Sequence, residues 1–187
     1  LLDGKAAANL TLTSKVEGTD FTGGLLVGHS TTGTLSGASN NTGVGIAALD
    51  ALTSGDGNTC VGGSAGTVIS SGSGNSIFGY LAGLTVTGIN NVFIGKKAGE
   101  IVANAHGNIC IGEDSGNNIT SGDGNLVIGY ADVPSATADH QLSISSGQSS
   151  GPTWMTGDSS GNIIHAGTTH SAGGQLSTTG KSLVMGF

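Results

Sequence analysis

The chain has 187 residues, of which 36 are Gly and 2 are Pro; charged side chains make up 9%, aromatics 4%, and the net charge is −7. Its five strong cations are all Lys (Lys5, Lys15, Lys96, Lys97, Lys181), too few and too scattered to release counterions from nucleic acid or to hold an anionic membrane surface. No apolar run reaches the length of a membrane span. Collagen is excluded because Gly does not fall at every third position, and disorder because aliphatic residues recur in fixed register with a positive mean hydropathy of +0.13.

Residues 1–23 form a leading segment in which Asn9-Leu-Thr-Leu-Thr13 alternates polar and apolar, as a strand does. The chain begins at Leu1 rather than Met, and is expected to be a fragment or processed product. From Gly24 to Asp132 one phrase is written seven times, with starts at 24, 41, 58, 75, 91, 108 and 125. It is seen in Asn58-Thr-Cys-Val-Gly62, Asn75-Ser-Ile-Phe-Gly79, Asn91-Val-Phe-Ile-Gly95, Asn108-Ile-Cys-Ile-Gly112 and Asn125-Leu-Val-Ile-Gly129. The step is 17 residues, with one step of 16 whose missing residue falls near Gly88. A fixed period of this length predicts stacked coils, each resting on its neighbours. Gly costs about 1 kcal/mol inside a helix, and several per repeat rule helices out. The expected fold is all-β: a parallel β-solenoid spanning 24–134, with a small β-rich C-terminal cap over 135–187.

Positions within a coil are numbered from the repeat Asn as zero. The zero ladder (Asn41, Asn58, Asn75, Asn91, Asn108, Asn125) predicts amides bonded from coil to coil. Position three is always apolar (Val61, Phe78, Ile94, Ile111 and Ile128 among them), and position eleven is aliphatic (Leu35, Leu52, Ile69, Val86, Val102, Ile119). These are read as two inward ladders, one on each side of a two-stranded coil with Gly corners. Position two then faces the other way. It reads Leu26, Gly43, Cys60, Ile77, Phe93, Cys110 and Val127, an apolar stripe that needs a partner if it lies outside. That stripe is the expected interface of a homotrimer, with Ile77 and Phe93 near its axis. Cys60 and Cys110 share a rung position three coils apart, roughly 14 Å at strand spacing, too far for a disulfide.

Beyond Asp132-Val-Pro134, three segments read as short strands: Gln141–Ser145, Pro152–Thr156 and Asn162–Ala166. A final apolar strand is expected over Gly180–Phe187. Trp154, the only Trp, is read as a core anchor of the cap or as a contact at the tip. The five His show no metal-ligand spacing, although His165 and His170 could ring a three-fold axis. No nucleophile elbow or catalytic constellation is recognisable. The Ser-Gly-Asp-Gly-Asn stretches at 54–58 and 121–125 lack the Asp in every turn that calcium-binding repeats require. The expectation is a protein without cofactor or metal that is not an enzyme.

The unit Asn-x-x-Ile-Gly-x-x-Ala-Gly-x-x-Ile-Thr-Ser-Gly-x-Gly resembles the head repeats of trimeric bacterial adhesins, and more closely the related repeats of bacteriophage tail fibres. The resemblance covers roughly residues 24–132; the stretches 151–158 and 178–187 are also phage-like. It implies a parallel homotrimer of left-handed β-rolls, extracellular or on a virion. Its implied partners are other virion proteins and a host surface receptor, a glycan or outer-membrane component. The alternatives are a structural spacer, sheath or decoration filament, or a bacterial adhesin head.

Overall fold

The computed structural model describes residues 14–28, 34–146, 151–165 and 168–170; the strands expected at Asn9–Thr13 and Gly180–Phe187 lie outside them. All described strands belong to one sheet. β1 (Ser14–Gly18) pairs antiparallel with β2 (Phe21–Val27), which also carries the two-residue β3 (Ala38–Ser39). From β2 the sheet runs in parallel through β4 (Thr42–Val44), β5 (Thr59–Val61), β6 (Ser76–Phe78), β7 (Val92–Ile94), β8 (Ile109–Ile111), β9 (Leu126–Ile128) and β10 (Leu142–Ser145). It ends in antiparallel pairings through β11 (Thr153–Gly157), β12 (Ile163–His165) and β13 (Thr168–His170). The architecture is a parallel β-solenoid of about seven coils, as the period predicts.

Each coil has one strand, not two. The return path from position five onward is built of turns, yet it stacks as regularly as the strands. Gly66 N–H donates to Ala82 C=O at 3.0 Å, Gly83 N–H to Ala98 C=O at 2.9 Å and Gly99 N–H to Ser115 C=O at 2.8 Å. The turns follow from backbone sign: position six has positive φ at Ala47, Ser64, Leu81, Lys97 and Asp114 (53–59°). A run that switches to the left-handed region every few residues cannot stay extended. Gly at position four answers a different demand. At Gly112 (φ 133°) an added Cβ would lie 2.6 Å from the Gly129 carbonyl oxygen of the next coil, so only Gly lets the coils approach this closely.

The core corrects the reading of position three. Phe78, Ile94, Ile111 and Ile128 are 37–41% exposed and Val61 is half-buried; none is a core residue. Position two lies inside: Leu26, Cys60, Ile77, Phe93, Cys110 and Val127 are all fully buried within their own chain. The set expected at a trimer interface is therefore the core of a single coil column. The physical reason is the strand's two-residue alternation. Asn at position zero is buried, so position two shares its face and position three does not. Position eleven does face inward: Leu52, Ile69, Val86, Val102 and Ile119 are fully buried opposite position two.

The core also holds a volume exchange that the repeat conceals. Most coils carry a large residue at position two and Gly at position eight; a Cβ on Gly66 would meet Cys60 Sγ at 2.8 Å, and one on Gly99 would meet the Phe93 ring. In the second coil the two roles are reversed. Position two is Gly43 and position eight is Leu49, which is fully buried despite a φ of 59°. A Cβ on Gly43 would lie 3.4 Å from Leu49 Cδ1, so Leu49 fills the space that Gly43 leaves.

Candidate functional site

Three features of the rod were candidates for a site: the buried amide ladder, the acidic corners and the outer strand face. The Asn side chains form an unbroken chain of hydrogen bonds. Nδ2 of Asn58, Asn75, Asn91, Asn108 and Asn125 each donates to Oδ1 of the Asn one coil before, at 3.0, 2.9, 3.1, 3.4 and 3.0 Å. From Asn41 to Asn108 each Nδ2 also reaches a backbone carbonyl of the next corner, such as Gly72 C=O at 2.8 Å for Asn58. Gln141 continues the ladder, donating Nε2 to Asn125 Oδ1 at 3.2 Å. Every amide is buried and bonded to its neighbours, so the ladder is a structural spine.

The acidic corners are spent in the same way. Asp56 Oδ1 accepts Ser39 N–H at 2.7 Å, Asp123 Oδ1 accepts His106 N–H at 2.6 Å, and Asp139 Oδ1 accepts Asp123 N–H at 2.8 Å. His106 Nδ1 and Ser73 Oγ take the same place in their own coils, accepting Ile89 N–H and Asp56 N–H. A second side-chain ladder thus explains the Gly-Asp-Gly corners without a cation. Sequence reasoning missed it because the acceptor changes from coil to coil while its place does not. Among the described residues no group of three or more His, Cys, Asp or Glu could hold a metal. His165 is exposed on β12; the side chain of His170 lies outside the described set.

The two thiols sit in the coil core. Burial pushes Cys110 up to about 12, helped by the charge of Asp132, and lifts Cys60 further above its ordinary value. Protonated and enclosed, both are inert packing groups. Lys96 and Glu113 meet at 2.6 Å on the surface of adjacent coils, a contact worth little in water.

What remains is the outer face. Positions one and three point out together, and along the rod they present Leu25, Val44, Phe78, Ile94, Ile109, Ile111 and Ile128, each 37–41% exposed. The intervening places hold half-buried Val27, Val61, Val92 and Leu126 with Thr42, Thr59 and Ser76. β10 adds Leu142 and Ile144 in register. The result is an uncharged, mostly apolar strip eight strands long. Trp154 stands beyond it, 54% exposed on β11. No family model matches this chain, and neither the curated proteins nor the solved structures contain a match.

Proposed function

We propose that this chain is a rod segment of a trimeric fibre, the distal part of a bacteriophage tail fibre that carries a receptor-binding function on the virion. The observation that carries the reading is the outer strip. Seven large apolar side chains, each about two-fifths exposed, line one strand face of the rod, and a row of apolar surface of this length calls for a partner. Copies of the same chain offer the same rungs at the same spacing, so they match along the whole strip, and cyclic symmetry closes the assembly. Three copies rather than two follows from the resemblance to tail-fibre and adhesin repeats. The ladders inside each coil column supply the stiffness that such a fibre needs.

The test is the mass of the folded protein in solution. Light scattering should give three times the chain mass of 18.0 kDa, and negative-stain images should show straight rods. A monodisperse single chain at micromolar concentration would refute the fibre reading.

A further inference from the structure

The corner ladder has one member that can change its chemical state. The ladder runs in two stretches. In the first, Ser39 N–H donates to Asp56 Oδ1 and Asp56 N–H to Ser73 Oγ. In the second, Ile89 N–H donates to His106 Nδ1 at 3.0 Å, His106 N–H to Asp123 Oδ1 at 2.6 Å and Asp123 N–H to Asp139 Oδ1 at 2.8 Å. The break falls at Ile89, whose side chain has no acceptor to offer the coil before it. Ile89 lies in the one coil that is 16 residues long, so this side-chain ladder holds the short coil through His106 alone.

Four of the five acceptors are carboxylate or hydroxyl oxygens, which accept throughout the neutral range. His106 is the exception. A neutral imidazole with its proton on Nε2 accepts at Nδ1, whereas an imidazolium is a donor at both nitrogens. Protonation therefore sets a donor against the Ile89 N–H and ends that bond. The charges around the ring are one-sided. Residues 86–90, the facing corner of the coil before, carry no titratable side chain. The coil after carries Asp123, which already accepts the His106 N–H and so holds its carboxylate within reach of the ring; Asp139 and His140 follow one coil further.

We propose that His106 is a proton switch between two coil contacts. Neutral, it accepts the Ile89 N–H and holds the corner of the short coil. Protonated, it releases Ile89 and turns its charge toward Asp123. The switch belongs to the single coil column and does not depend on the fibre reading. Thr87 N–H to Ala103 C=O at 2.9 Å and Gly107 N–H to Ile89 C=O at 3.0 Å do not titrate, so mild acid opens one corner and leaves the rod standing.

Amide hydrogen exchange read by NMR on the full chain tests this, with rates corrected for the intrinsic effect of pH. Histidine ordinarily changes charge between pH 5 and 8, and the measurement covers that interval. Protection of the Ile89 amide should fall on the order of tenfold, the worth of about one hydrogen bond, in step with protonation of the His106 ring. The Asp56 amide, whose acceptor is the Ser73 hydroxyl, should keep its protection. His106→Asp supplies an oxygen like the other rungs and should keep Ile89 protected throughout. His106→Phe should leave Ile89 at pH 8 as exposed to exchange as it is in the wild type at pH 5. Asp123→Asn keeps an acceptor for the His106 N–H without the charge, and should move the fall to lower pH. Ile89 protection that is unchanged while the ring protonates, a ring that stays neutral down to pH 5, or an equal fall in His106→Asp would overturn the switch. A fall that does not move in Asp123→Asn would overturn the second contact.

Discussion

The two faces of the same three-residue strands are nearly equal in apolar content and opposite in fate. Phe93 is fully buried and its neighbour Ile94 is 41% exposed. Ile77 and Phe78 repeat the contrast one coil earlier, and Cys110 and Ile111 one coil later. The inner face is finished: position two closes against position eleven of the same column. The outer face is nearly as apolar, and among the described residues nothing closes over it. The difference teaches that hydrophobicity marks a surface to be covered without saying by whom.

The contrast is broken most strongly from inside. Phe93→Asp places an unpaired charge in a fully enclosed core, a loss of about 5 kcal/mol or more. Chemical denaturation should find that the variant no longer unfolds cooperatively, while the Ile94→Asp chain still does.

Leu49→Gly removes a buried side chain that has no substitute nearby and should cost about 2–5 kcal/mol, although it relieves a positive φ. The double change Gly43→Ile with Leu49→Gly restores the volume pattern of the other coils. It should recover most of the loss in a thermal melt; no recovery would refute the exchange.

Asn91→Ala cuts the spine. Asn108 N–H and Ala105 C=O lose buried partners and Asn75 Oδ1 loses one of two, each worth about 1–3 kcal/mol. Hydrogen exchange should then accelerate first in the coils flanking Asn91.

The pH dependence is smaller and has a fixed sign. A thiol raised from its ordinary 9.0 to about 12, as at Cys110, keeps its proton in the folded chain while the unfolded chain loses it. Unfolding therefore releases protons from the thiol above about pH 9, so its contribution to stability is constant below that pH and falls between about 9 and 12. Replacing both Cys by Ala should flatten this fall. The same thiols should resist a thiol reagent in the folded protein and react on denaturation.

The smallest effect on the chain itself belongs to Ile94→Asp. On an exposed outer face it should change coil stability by no more than about 0.5 kcal/mol, yet it sets like charges along the strip and should abolish self-association in light scattering. A large loss of coil stability would mean that position three is not outside.

Period and ladder were legible because they are one-dimensional. Seventeen-residue spacing fixes the stack, the short step lands between Val86 and Gly88 where Asn75 reaches Gly88 C=O, and a repeated Asn needs a repeated partner. The C-terminal strands at β10, β11 and β12 were likewise legible from alternation between Gly and Ser turns. The direction of each strand was not. In three residues set between Asn and Gly, both parities read as apolar, and constancy at position three does not mark burial. The usable signals were the parity of position zero, shared with position two, and the exchange of Gly43 with Leu49, which only makes sense if both point inward. By itself, then, the sequence determined the stacking, since identical coils can satisfy their backbones only on each other. Tertiary structure alone decided which face closes within the chain, because that depends on how the left-handed turns at position six bring position eleven back across the coil, and distance across a coil leaves no mark on the order of residues.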